Sequence, residues 1–517
     1  ELTRLEVYQN DVRSDIPLAG LVNLTYLNLN HNSNLGSISS LSMLTELTDF
    51  RVYNTGINSI ESLVGATQLT YVQIGENSIN SISALSGAED LDEIHSYNNS
   101  ISSLDGLENA TKLERANFGR NNLTDVSQLA NLTDLEYLGL HYNENLVNVA
   151  SLSLLVELEN LELQNCNVQN ISALSGMVDM EYLNLHNNDI EDISPLAALD
   201  ELKQLRMNNN DLSGMADLSA LSAMTDLTYL EMNDCEARSL SGLENLDSLE
   251  QLYARGSDLP GANALAPLAA LEDLERINLA ESNIDDLTGI GNLTSLERLW
   301  LYDNDIETTA VFAGGNLSKL QYLHLANNKL DDVAGLSGLS DLTELSINDN
   351  SIDSLAGLTD LPDLEILNAG NNNIDEAGIA VFSAADGPDD LRTLYLGSND
   401  VDTANHIGNL TKLEYLHINN NDVDDISGLS SCTDIIQLHM QTNDIEDITP
   451  LASMPNLSYV QARHNDIEDL TPLLNNTDFA TGDMIYIHDN DLSCGTQSAI
   501  IDAIESRGAT VHDNPCD

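Results

Sequence analysis

The sequence has 517 residues, 42% of them hydrophobic, with 30 Gly and 10 Pro, a composition that folds rather than staying disordered. Its 84 acids stand against 18 Lys plus Arg, for a net charge of −66; such a surface repels phosphate backbones and anionic lipid, so no nucleic acid partner is expected. No stretch approaches the 18 apolar residues of a spanning helix, so no membrane insertion is expected either.

In chain order, the template LxxLxLxxNxI recurs 22 times, most often at a spacing of 22 residues. Glu1 falls inside the first repeat with no initiator Met, so the sequence is expected to be a piece of something longer that lacks an N-terminal cap. Clear copies are LTYLNLNHN (24–32), MEYLNLHNNDI (180–190), LERLWLYDNDI (296–306) and LEYLHINNNDV (413–423). The Asn slot runs from Asn10 to Asn490 and is Asn in 17 of 22 repeats; Thr55, Cys166, Cys235, Ser257 and Ser282 fill the others. In each copy LxL is a short strand whose two Leu side chains share one buried face. The Asn amide satisfies backbone groups where the chain leaves the strand, and stacked copies form a ladder. No repeat buries its apolar face alone, so neighbours must stack. The expected fold is an α/β repeat solenoid over 1–491: a curved array with a parallel concave sheet and short convex helical or 3-10 segments.

Five repeats are longer than 23 residues, and the largest insert, EAGIAVFSAADGPDD (376–390), reads as a short convex helix. The segment 492–517 reads as a C-terminal cap, with an amphipathic helix from Gln497 to Arg507 stopped by Gly508. Cys494 and Cys516 flank that helix. A disulfide between them is expected, and implies an oxidising compartment; two free thiols are the alternative. Cys166, Cys235 and Cys432 sit in core slots and read as packing.

NDIEDISPL (188–196), NDIEDITPL (443–451) and NDIEDLTPL (465–473) resemble the repeat of bacterial leucine-rich-repeat proteins of the internalin type. The resemblance implies an exported surface protein that binds host or partner proteins, and a helical tail closing the array.

Four slots per repeat, template positions three, five, seven and eight, point away from the core. They hold all 16 Tyr, the single Trp, nine of 11 His and nine of 13 Arg, but no Lys and only twelve of the 84 acids. Tyr, Trp and Arg dominate binding hot spots because each buries a large area and keeps a polar handle. The concave face is therefore expected to bind a protein or glycan ligand. Its densest patch is Tyr253, Arg255, Arg276, Arg298, Trp300, Tyr302, Tyr322 and His324. A second cluster holds Tyr26, Arg51, Tyr53, Tyr71, Tyr97 and Tyr137. An even scatter of strand-favouring Tyr is the alternative.

His417 and His439 share a column in consecutive repeats and form a weak metal candidate lacking a third ligand. Repeats nineteen to twenty-one stack carboxylates at about 4.8 Å spacing, with Asp422, Asp444 and Asp466 in one column and Asp425, Asp447 and Asp469 in another. High salt, as for a halophilic or marine protein, or Ca²⁺ would screen them; a merely solvated turn is the simpler reading. No catalytic motif is present, so no enzyme is expected and no cofactor beyond Ca²⁺. The leading expectation is an extracellular or cell-surface recognition and adhesion module. The alternative is a structural rod that self-assembles into a filament or surface layer.

Overall fold

The computed structural model describes residues 1–512. The chain divides into two compact units, Glu1–Ser257 and Asp258–Asp517. The first holds twelve three-residue strands, from Arg4–Glu6 to Gln251–Tyr253; the second holds eleven, from Arg276–Asn278 to Thr510–His512. Within each unit the strands pair in parallel and in phase, one per repeat. Tyr26 lies opposite Arg4 on one side and Asp49 on the other, and Arg298 lies between Arg276 and Tyr322.

The Leu of the template fill the interior, and Leu24, Leu27 and Leu29 are 0% exposed. Behind them the Asn ladder forms as expected. Asn188 Nδ2 donates to the carbonyls of Leu185 (2.8 Å) and of Leu163 one repeat earlier (2.9 Å), while its Oδ1 accepts the Val168 N–H (3.0 Å). Asn421 repeats the pattern with Ile418, Leu396 and Val401. Each amide thus ties two coils together and satisfies three backbone groups at their turns. Cys235 keeps one rung, its thiol donating to the Met207 carbonyl at 3.0 Å. Cys166 does so more weakly with Leu140 at 3.5 Å. Burial pushes the Cys235 thiol up to about 12 and those of Cys166 and Cys432 to about 11, so all three stay protonated packing groups.

Slot eight points away from the core but does not continue the strand edge. It takes a left-handed backbone: φ is 57° at His31, 54° at Arg120, 53° at Tyr142, 59° at Thr442 and 54° at His464. The chain must turn there, because the ladder amide bonds carbonyls two and three residues behind it, as Asn188 does with His186 and Leu185.

Single 3-10 turns form the opposite flank of most repeats. The acids that precede them have a local task. Asp447 accepts the N–H (2.8 Å) and hydroxyl of Thr449, and Asp469 does the same for Thr471. The column Asp425, Asp447 and Asp469 is therefore a row of turn caps. The 376–390 insert holds only the 3-10 turn Ala380–Ser383, shorter than the helix expected.

The terminal helix runs Cys494–Glu505 and starts three residues before the expected position. The Thr496 and Gln497 N–H groups both reach the Ser493 carbonyl, which opens the helix there. Gln497 is instead a buried stitch: its Oε1 accepts the Leu470 N–H and its Nε2 donates to Asp469. Gly508 ends the segment at φ 95°. Beyond the 22 repeats a further strand, Thr510–His512, pairs with Met484–Tyr486. Cys516, the expected partner of Cys494, lies outside the described residues.

Candidate ligand-binding face

Strand alternation buries the middle residue of nearly every strand and leaves its two neighbours half-exposed in most. On this open face the aromatic residues are sorted by type. All five Phe of the sequence are in the core, at 0–2% exposure. All 16 Tyr sit in outward slots. A preference of strands for aromatic rings would not separate Phe from Tyr in this way. Hydrophobicity does: it draws Phe inside and lets Tyr, with its polar tip, stand half-exposed, which leaves the open face ringed with hydroxyl-bearing aromatics.

The first unit brings most of its predicted cluster together. The Arg4 guanidinium lies 3.5 Å from the Tyr26 ring centroid, and Arg51 sits between Tyr26 (5.4 Å) and Tyr71 (4.3 Å). Cations and rings thus alternate across the first four strands, an arrangement favoured by the ring quadrupole. Asp49, 2.7 Å from Arg51, fixes the guanidinium and raises its pKa. The Tyr97 hydroxyl donates to that of Tyr53 at 3.0 Å. Tyr137 stands apart with Arg115, 5.1 Å away.

Tyr253 and Arg255 belong to the last repeat of the first unit, where Tyr253 packs on Tyr229 (5.6 Å) and Arg255 pairs with Asp234 (3.6 Å). The other six members of the predicted dense patch lie in the second unit. Arg276 and Arg298 share a column, and Trp300 lies opposite His324 in the adjacent one. Trp300 packs on Tyr322 at 5.1 Å, and His324 on Tyr302 at 4.8 Å. Burial raises the Tyr322 hydroxyl and lowers the His324 imidazole, so both stay neutral around pH 7. Arg298 remains exposed at the strand end.

Sequence reasoning missed the longest ring array. From Tyr395 the contacts run to His417 (4.5 Å), His439 (4.0 Å), Tyr459 (5.1 Å), Tyr486 (5.7 Å) and His512 (4.4 Å). The Arg463 guanidinium lies 4.6 Å from the Tyr486 centroid. His512 had no signal, because it follows the cap helix outside any recognisable repeat. The others were legible as outward slots: Tyr395, His417, His439 and Tyr486 share one column, and the path leaves it only at Tyr459.

The two imidazoles His417 and His439 stack at 9° between Tyr395 and Tyr459. Burial, then the neighbouring His439, lowers His417 to about 4. Among the described residues no group of three or more His, Cys, Asp or Glu is placed to hold a metal ion. Asp422, Asp444 and Asp466 are exposed, each with its N–H bonded to a carbonyl of the preceding repeat.

A coil tied by ladder amides, with an aromatic and Arg-bearing sheet face left open, defines a repeat solenoid. A family model described as leucine-rich repeat region matches residues 183–494, and one for two copies of the repeat matches 156–198. The chain belongs to the leucine-rich-repeat family. No curated protein sequence matches it. Among solved structures, the fold is shared with the Arabidopsis receptor kinase HAESA in complex with the peptide hormone IDA and the co-receptor SERK1. That likeness has a TM-score of 0.63 at 20% identity, covering 95% of this chain and 87% of that one. A leucine-rich-repeat protein of Leptospira interrogans matches with TM-score 0.55 at 19% identity, over 83% and 92%. The functional domain of InlJ from Listeria monocytogenes matches with TM-score 0.51 at 18% identity, over 77% and 74%. The internalin resemblance thus widens to a repeat fold found in plant and bacterial proteins alike. Among the described residues no helix is long and apolar enough to cross a membrane.

Proposed function

We propose that this chain is an extracellular or cell-surface recognition module that binds a protein partner on the open face of its sheet. The observation that carries the reading is the sorting of side chains: Tyr, Trp, His and Arg face solvent there, Phe stays in the core, and Lys is absent from the face. Folding accounts for Phe in the core but not for the gathering of Arg and His on the face or the absence of Lys from it, whereas a binding surface that desolvates large amphipathic groups does. The plant receptor of similar fold is described in complex with a peptide hormone, which supports a protein or peptide ligand as the natural first class to test. The contact centre in this reading is Arg298, Trp300, Tyr302, Tyr322 and His324.

The test is an array of surface and secreted proteins probed with the wild-type chain and with a Trp300→Ala, Tyr302→Ala, Arg298→Ala triple variant. The expected result is a partner bound by the wild type and weakened at least tenfold in the variant, with thermal stability unchanged, since all three side chains lie outside the core. A partner held equally by both would move the site elsewhere. No partner for either, together with self-association on a sizing column, would favour the structural rod.

A further inference from the structure

In the second unit the open face dips into a recess of about 250 Å³ beside the strands Ile366–Asn368, Thr393–Tyr395 and Tyr415–His417. Two glycines create it. Gly370 and Gly397 occupy the third outward slot of their repeats, where the flanking repeats carry Asn348 and Asn419. A Cβ on Gly397 would stand 2.8 Å from the Asn419 amide, and one on Gly370 would stand 3.1 Å from the Gly397 carbonyl oxygen. Neither glycine has the positive φ that demands the residue, so at these positions glycine supplies space.

The walls are chemically uniform. Tyr395 and His417 present tilted rings 4.5 Å apart. Asn348, Asn368 and Asn419 line the remainder. The one charged group, Asp349, is engaged by the amides of Asn348 (2.5 Å) and Asn371. In a chain of net charge −66 this hollow carries a single carboxylate, already held by two amides. Its floor offers nothing to an added peptide strand, because the backbone is already paired: Ala369 N–H to the Tyr395 carbonyl and Leu396 N–H to the His417 carbonyl, both at 2.8 Å.

We propose that this recess binds one neutral hexopyranose unit of a glycan, its C–H face against Tyr395 and His417 and its hydroxyls on the amides of Asn368 and Asn419. A planar amide carries a donor and an acceptor side by side and suits a pair of adjacent hydroxyls. An aromatic ring supplies apolar area without excluding water from its edge. An anionic ligand would find no counter-charge, since no Lys or Arg lines the recess. The site uses no residue of the Trp300 cluster and stands independently of the protein-binding reading.

The test is saturation-transfer NMR on the intact chain with glucose, galactose, mannose and N-acetylglucosamine in turn. The expected result is transfer to at least one of the four sugars. It should fall at least tenfold in Gly397→Ala, which fills the hollow, and in Asn419→Ala, which removes an amide without touching the core. The Trp300→Ala, Tyr302→Ala, Arg298→Ala variant should keep it. Absence of transfer from all four sugars overturns the proposal. So does transfer that survives in both Gly397→Ala and Asn419→Ala, or that is lost in the triple variant, which would assign the sugar to the Trp300 cluster instead.

Discussion

At the scale of single residues, the stacked pair His417 and His439 makes the fold sensitive to mild acid. An imidazole held at about 4 in the folded chain refuses a proton that the unfolded chain accepts near its ordinary value of 6.5. Below pH 6.5 the unfolded state therefore binds more protons, and stability falls as pH drops toward 4. His439, also lowered by burial, adds in the same direction. His417→Gln keeps a planar polar group and removes the titration. Thermal melts from pH 7.5 to 4 should show a shallower decline in the variant than in the wild type; identical slopes would mean that the stacked rings separate before they titrate. The pairing itself was legible, since both residues occupy the same slot in consecutive repeats. Tyr395 shares their column and was legible too, whereas the cover by Tyr459 was not, because it depends on a ring leaning in from the neighbouring column.

At the scale of one repeat, the close packing of successive coils is what glycine reports. Gly242 has φ 110°, and a Cβ there would lie 2.4 Å from the Leu218 carbonyl and 2.5 Å from the Ser219 nitrogen, backbone of the preceding repeat. Rigid backbone cannot yield as a side-chain tip does, so Gly242→Ala should destabilise by about 3 kcal/mol, combining strain with clash. Gly214, with nothing within 4 Å, is the control, and Gly214→Ala should be near neutral. Hydrogen exchange should show the loss confined to the coils around Gly242, because each repeat contacts mainly its neighbours. A uniform loss along the unit would instead mean that its repeats melt as one block. The strands, the Asn rungs and the terminal helix could all be read from periodicity. The left-handed slot eight did carry a signal, since Asn, Asp or Gly, the residues that best tolerate positive φ, fill it in 13 of 22 repeats, although Arg120, Tyr142 and Thr442 adopt it too. The turn-capping duty of Asp447 and Asp469 could not be read, because the count of acids alone presents them as surplus charge.

At the scale of the whole molecule, the net charge of −66 is arranged in columns set by the repeat. Asp92, Glu114 and Glu136 occupy one slot in successive repeats, linked by the Glu114 N–H to Asp92 carbonyl and the Glu136 N–H to Glu114 carbonyl bonds, each 2.9 Å. Asp92 and then Glu136 raise the Glu114 carboxyl above its ordinary value, the sign of repulsion left uncompensated. Four of the five Lys relieve such crowding one repeat at a time, through Lys112–Asp90, Lys203–Glu181, Lys329–Asp305 and Lys412–Asp390. Exposed pairs of this kind contribute little, because water screens them and ordering two long side chains costs entropy. Most of the charge is therefore left to the solvent. A Debye length of about 10 Å at 0.1 M leaves neighbouring columns coupled, while about 3 Å at 1 M separates them. The melting temperature should accordingly climb between 0.05 and 1 M NaCl. Glu114→Gln should melt above the wild type at the low end and lose that advantage at the high end, which ties the effect to the column rather than to bulk salt. A melting temperature flat in salt, with Glu114→Gln neutral throughout, would show that the columns store no repulsion. CaCl₂ at matched ionic strength separates the two forms of relief. A rise equal to that in NaCl means screening alone, and a larger one means direct carboxylate ligation, for which Asp422, Asp444 and Asp466 are the side chains to replace first.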